Sequence, residues 1–441
     1  MKSNHVIKRS WSNLIPLCII IASFGPYVYS SFGLRTEHIL IYLLLLYVAP
    51  VFIRRRRFIL LPLPLLGIIV SLLGIILWTL FGSIFENYPI VSFSKYLSSI
   101  ENYVQPIAVI ILVLTFVRYI LYKDFLSPFQ NLCRCLILLL CLNSIIECFS
   151  IFFDLSNFLR PFVFSCFGDV SISQLASAMG RRSGIFNQPV ENGLTYSLGL
   201  LSWAYLKRVS AKASFKDYCF LFLLLVGGSL SVSKIFILGG IPLFILYLNP
   251  IGYLKKCFNW RFLLGAIMSC CVILWMIKFW VGWDYFCRLF RIGKETNLVE
   301  LFTGGRFGAE YSTMPSNFAR IWHESPLYGF GFGATSCFDN AYLEFFLQGG
   351  VVALLGYLAL LAVYFRYSLR AFLKSYEEGR LLLAFFVLVM GASLGAPVLT
   401  LNRFSTIFWV LSTFLFLMLQ VRRRDKVKNR IISNQTLRAD I

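Results

Sequence analysis

The sequence predicts an all-α, polytopic integral membrane protein with about twelve transmembrane helices, and three observations predict it. Of 441 residues, 58% are hydrophobic and only 14% are charged, which is more apolar surface than a water-soluble core can hide. The apolar residues fall in runs near the ~20-residue length needed to cross a ~30 Å hydrocarbon core. Lys and Arg gather in alternate connections between the runs, as they do where basic loops stay on the cytoplasmic side.

The expected spans are about 12–31, 38–53, 58–81, 106–122, 132–152, 189–206, 218–233, 235–249, 261–281, 340–365, 381–400 and 404–421. The first lacks a small-residue cleavage site and reads as a retained anchor. Lys2, Lys8 and Arg9 precede it, and four arginines at 54–57 separate the second and third spans. Arg118, Lys123 and Arg134 flank the junction of the fourth and fifth. The sixth opens at Pro189, which fits a first helical turn because its missing N–H has no partner there anyway. Lys207, Arg208, Lys212 and Lys216 follow it. The region 218–249 holds two short, barely separated candidates. Lys255, Lys256 and Arg261 precede the ninth span, and Arg366, Arg370, Lys374 and Arg380 join the tenth to the eleventh. With seven more in the tail after Val421, 28 of the 41 Lys and Arg lie on one side. Both termini are then expected in the cytoplasm. No repeat, low-complexity linker or soluble domain interrupts the chain, so 1–441 reads as one membrane domain with long outer loops at about 153–188 and 282–339.

The formal net charge of +21 does not point to nucleic acid, because the cations are dispersed among loops instead of forming one face. The basic runs at 54–57 and 422–424 read as topology anchors that also favour anionic lipid headgroups. The cations on the other side resist the topology rule. Arg160, Arg181 and Arg182 lie in the first outer loop, and Lys278, Arg288, Arg291, Lys294, Arg306 and Arg320 lie in or beside the second. Lys234 sits at the tip between the seventh and eighth spans, with Arg35, Lys95 and Arg403 elsewhere. Such clustering suits an anionic ligand at the membrane surface, since a guanidinium can grip a phosphate with two parallel hydrogen bonds. Most of the 12 cysteines fall within spans, where they act as small hydrophobes, and three scattered histidines do not make a metal site.

The richest polar segment runs from Gly304 into the tenth span. Its spacing echoes that of the first outer loop: Arg182, ten residues, Gly193; Arg320, ten residues, Gly331; and also Asp339, ten residues, Gly350. Gly329, Gly331 and Gly333 would let backbone come close to a ligand. Asn340, Glu344 and Gln348, at i, i+4 and i+8, form a polar stripe on one helix face. Tyr311, Trp322, Tyr328 and Phe338 offer faces on which sugars could stack.

Arg182-Ser-Gly-Ile-Phe-Asn-Gln-Pro, Ser231-Val-Ser-Lys, Gly305-Arg306, Ser325-Pro-Leu-Tyr-Gly-Phe-Gly and Asp339-Asn-Ala-Tyr-Leu, in that order, resemble the O-antigen polymerase (Wzy-type) and O-antigen ligase superfamily. The resemblance covers about 180–350. It implies a membrane glycosyltransferase acting on the periplasmic side of the bacterial inner membrane, on oligosaccharides linked to undecaprenyl pyrophosphate. Polymerases of that family join lipid-linked repeat units; ligases transfer the finished glycan to lipid A core. Ligases typically carry His where this chain has Asp339, which favours polymerase. The family's Ser-Arg at the seventh-to-eighth junction is Ser233-Lys234 here, a point charge in place of a fork.

On this reading Arg182, Arg320, Lys234 and Arg306 bind pyrophosphate, while Asn340, Tyr342 and Trp322 face the glycan. Asp339, Glu324 and His323 are the candidates to take a proton from an acceptor hydroxyl. No nucleotide is called for, because the pyrophosphate is itself the leaving group, and no cofactor or metal is expected. The expected partners are the lipid-linked oligosaccharide, membrane lipids, a chain-length regulator and a flippase. The alternatives are a ligase, and a flippase for lipid-linked oligosaccharide. A flippase would carry charge along a central path, whereas here the polar residues crowd at one face.

Overall fold

The computed structural model describes residues 14–29, 33–55, 62–86, 93–117, 122–163, 180–210, 214–248, 287, 314–333 and 340–439. Within them the protein is almost wholly helical. The first helix, α1 (Leu14–Ser23), stops at Gly25-Pro26, earlier than its apolar run, where a glycine followed by a proline without an N–H disfavours further helical turns. The chain then forms a small antiparallel pair, β1 (Tyr27–Tyr29) with β2 (Leu34–Arg35), which the apolar pattern did not announce. There follow α2 (Thr36–Arg55), α3 (Leu63–Glu86), α4 (Phe93–Val117), α5 (Tyr122–Phe152) and the short α6 (Ser156–Leu159). After these come α7 (Pro189–Ser210), α8 (Phe215–Leu230), a π-helical turn (Ile235–Gly240) that continues as α9 (Ile241–Leu248), and α10 (Met314–Glu324). The last three are α11 (Ala341–Leu373), α12 (Glu377–Ala392) and α13 (Asn402–Ala439). The expected span at 261–281 lies outside the described residues.

Five of these helices are long and apolar enough to cross a membrane: Leu63–Phe85, Tyr96–Val117, Phe125–Phe152, Ala341–Leu373 and Arg403–Arg423. Two begin earlier than hydropathy places them, because α4 and α5 run through Pro106 and Pro128. Leu14–Ser23, Thr36–Pro50 and Ile235–Leu248 are shorter apolar helices.

The centre of the bundle is α7, buried from Pro189 to Leu206 apart from Val190. It is surrounded by α5, α8, α9, the π-helical turn, α12 and α13. It can therefore carry Glu191, Asn192, Thr195 and Ser197 inside, since protein and not lipid supplies their partners. Around it, α11 packs against α3 and α12, and α13 against α4.

Two sets of polar contacts mark the two ends of the bundle. At one end Arg403, 1% exposed, donates to the carbonyls of Gly25 (2.9 Å), Phe162 (3.1 Å) and Ile185, while its backbone N–H donates to Glu191 Oε1 (2.9 Å). Nearby Arg35 pairs with Glu37 (2.9 Å) and contacts His38, and Tyr42 donates to Glu101 (3.2 Å), joining α2 to α4. At the opposite end Arg208 grips Glu377 through two N–H groups (2.8 and 2.9 Å), Lys207 pairs with Asp217 (2.5 Å), and Arg422 pairs with Glu378 (2.6 Å).

A clasped break interrupts α11. Gly349 and Gly350 leave helical geometry, Gly350 with φ of 63°. The freed groups are recovered by the 325–331 segment: Phe330 N–H donates to Leu347 O (2.7 Å), Gly331 N–H to Gln348 O (2.9 Å), and Val351 N–H to Pro326 O (2.9 Å). Buried backbone must be paired, and at membrane depth irregular backbone survives only against protein. A Cβ on Gly329 would stand 2.6 Å from Gly350 N, at a φ of 70° that side chains rarely adopt. The glycines of Ser-Pro-Leu-Tyr-Gly-Phe-Gly thus bring backbone close to a broken helix. Beyond the break, 351–373 at about 1.5 Å per residue is about 35 Å long, enough to cross the hydrocarbon core alone.

Candidate functional site

Of the sequence-derived site, the structure brings Arg182 and Lys234 to one corner. The loop 180–187 lies against the junction of α8 and the π-helical turn. Arg182 N–H donates to Leu230 O (2.9 Å), and Arg181 Nε donates to Ser231 O (3.2 Å). Lys234, half-buried, opens the π-helical turn two residues after Val232. Val232 holds φ of 43°, an outlier for a β-branched residue of the kind that concentrates at functional sites. Gly193 lets α7 come close to the same junction: a Cβ there would stand 2.5 Å from Ser233 Cβ.

The corner rests on a buried polar network. Asn143 Nδ2 donates to Glu147 Oε1 (2.8 Å), and Asn192 Nδ2 donates to the same oxygen (2.6 Å) and to Arg182 O (3.3 Å). Ile185 N–H donates to Asn143 Oδ1 (2.9 Å), and Tyr196 Oη to Leu140 O (3.1 Å). The Arg182 loop is therefore fixed from beneath by α5 and α7. Burial draws the Arg182 guanidinium's pKa below its usual value, and the Glu147 carboxylate draws part of that shift back. Arginine stays charged through such a shift.

Helix α10 presents Arg320, Trp322, His323 and Glu324 on an amphipathic helix packed on α11. Ile321 is fully buried, whereas Trp322, His323 and Glu324 are exposed. Arg320 pairs with Glu324 (3.2 Å) and lies 4.7 Å from the Phe330 ring centroid. Trp322 stacks on Phe318, both more than half exposed, so this helix turns an aromatic face outward as interfacial helices do. Glu324 thus acts first as the ion-pair partner of Arg320.

At the start of α11, Asn340 is the N-cap: its Oδ1 accepts from Leu343 N–H (3.1 Å) and its Nδ2 donates to Leu394 O (3.1 Å). Tyr342, read as glycan-facing, instead lays its ring against Tyr357 (5.5 Å) and its hydroxyl against Met390 O (3.4 Å). Behind the cap, Gln348 donates to Glu344 Oε1 (3.3 Å) and accepts from Tyr103 Oη (2.6 Å), so the polar stripe faces α4 and is buried. Tyr328 stacks on Trp78 at 5.2 Å, which commits it to packing and not to sugar. Asp339 and Arg306 lie outside the described residues.

Sequence reasoning missed the buried polar groups. Arg35 and Arg403 counted as outlying cations but are fully enclosed, and Glu147, Asn143 and Asn192 drew no notice. Their signal was a polar residue inside or at the edge of an apolar run, which requires a partner or a cavity. A scan against protein-family models finds no matching family, and a search of curated proteins finds no match.

Proposed function

We propose that this protein is a surface-polysaccharide polymerase that joins undecaprenyl-pyrophosphate-linked repeat units at the periplasmic face of a bacterial inner membrane. The observation that carries the reading is the Arg182 corner. Two cation-bearing segments about fifty residues apart meet at a bundle end, one of them a loop held by a buried network beneath it. That arrangement suits a phosphate ester whose lipid tail lies in the bilayer. Arg182, Lys234, Arg306 and Arg320 hold the pyrophosphate and offset the charge that grows as the glycosidic bond breaks. The acceptor hydroxyl attacks the donor's anomeric carbon, undecaprenyl pyrophosphate leaves, and Asp339 takes the hydroxyl proton. Asn340 supports this division of labour: because it caps α11, the carboxylate beside it is not needed as the cap.

The test is a strain lacking this chain, with its glycolipids resolved on a gel. A core bearing one repeat unit supports a polymerase; bare core points to a ligase or flippase and overturns the reading. In the complemented strain, Asp339→Asn and Asp339→Ser should insert normally and leave single repeats. A normal ladder from either variant would move the base to Glu324 or His323.

A further inference from the structure

At the bundle end opposite the Arg182 corner, a cleft of about 380 Å³ opens between the start of α3, the end of α11 and α13. Arg370, Lys374 and Arg423 line it, and no acidic side chain does. The neighbouring acids are committed elsewhere: Asp217 to Lys207, Glu377 to Arg208 and Arg380, and Glu378 to Arg422. Among the described residues, none of the three lining cations has an acidic partner. All three are exposed, while the wall between them is mostly apolar, with Pro64, Ala371, Phe416 and Leu419 beside Tyr367, Tyr376 and Gln420. Leu63, at the cleft's edge, is 68% exposed, and Leu66 is 40% exposed one turn further along α3.

We propose that this cleft binds the phosphate headgroup of an anionic phospholipid, with the acyl chains running out over Leu63 and Leu66. The bias of basic residues toward cytoplasmic loops accounts for cations at a helix end, but not for an apolar recess enclosed by three of them. A lipid needs both features: charge at headgroup depth, and apolar wall continuing onto the membrane face of a helix. A free phosphate would use the cations and gain nothing from Phe416 or Leu419. The last turn of α11 also favours cations through its dipole, yet Arg423 comes from a different helix and completes the ring. Each basic residue near an anionic surface strengthens binding about fivefold, so three favour an anionic over a zwitterionic headgroup by on the order of 100-fold.

Native mass spectrometry of the full chain, released from nanodiscs of equal phosphatidylglycerol and phosphatidylcholine, would test this. One retained phosphatidylglycerol per chain, in at least about tenfold preference over phosphatidylcholine, is expected. The triple variant Arg370→Gln, Lys374→Gln, Arg423→Gln should lose that preference. The single variant Lys374→Glu, at an exposed position, should weaken it without disturbing the fold. A preference unchanged in Lys374→Glu overturns the proposal. So does displacement of the lipid by millimolar inorganic phosphate, which would make the cleft a simple anion site.

Discussion

Arg403→Met lowers the melting temperature of the purified protein by roughly 3–5 °C, or prevents recovery of monodisperse protein. The side chain is enclosed and joins three chain segments, donating to Gly25, Phe162 and Ile185 while its ring neighbour Tyr27 lies 5.5 Å away. Methionine keeps much of the volume but none of the donors. Three carbonyls then lose their partner, and Glu191 loses a nearby positive charge. Removing one member of a buried charged set costs about 3–5 kcal/mol, because the groups left behind stay desolvated. Arg403→Lys keeps the charge but not the planar fork, so it should fall between the two. Scanning fluorimetry in detergent, with size exclusion, reads the result. A melting point within a degree of the parent would show that helices alone hold these loops.

That expectation rests on contacts the chain conceals. The helical class was legible because bilayer burial demands long apolar runs, and α3, α8, α9 and α11 lie close to the runs that foretold them. Boundaries shifted where a helix runs on through less apolar residues: the span expected from about 106 begins at Phe93 in α4. The break in α11 was not legible, since Gly349-Gly350 means little until 325–331 is seen to clasp it. Arg403 likewise finds its partner Gly25 across most of the chain. Hydropathy scores residues singly, and such pairings are long-range. The Arg182 motif announced a basic loop, but not that α5 would supply the Asn143–Glu147 floor beneath it.

Arg182→Ala should abolish the polysaccharide ladder and leave lipid-linked single repeats, with protein level in the membrane near normal. The loop has ties that do not use the Arg182 side chain. Three of them use its main chain: Arg182 N–H to Leu230 O, Asn192 to Arg182 O, and Ile185 N–H to Asn143. Alanine keeps all three, so the loop retains these ties when the guanidinium and its attraction to Glu147 are removed. If that group meets the charge growing on a departing pyrophosphate, its loss costs about 2.7–4 kcal/mol, or on the order of 10²–10³-fold in rate. If it only touches lipid headgroups, its loss is worth less than about 1 kcal/mol and the ladder survives. Arg182→Lys separates the two further: a point charge restores a headgroup contact in full but a bidentate phosphate grip only in part. Expressing each variant from the same plasmid in the deletion strain, with membrane protein quantified beside the gel, makes the comparison. A full-length ladder from Arg182→Ala would remove this corner from the chemistry and leave Arg306 and Arg320 to hold the phosphate.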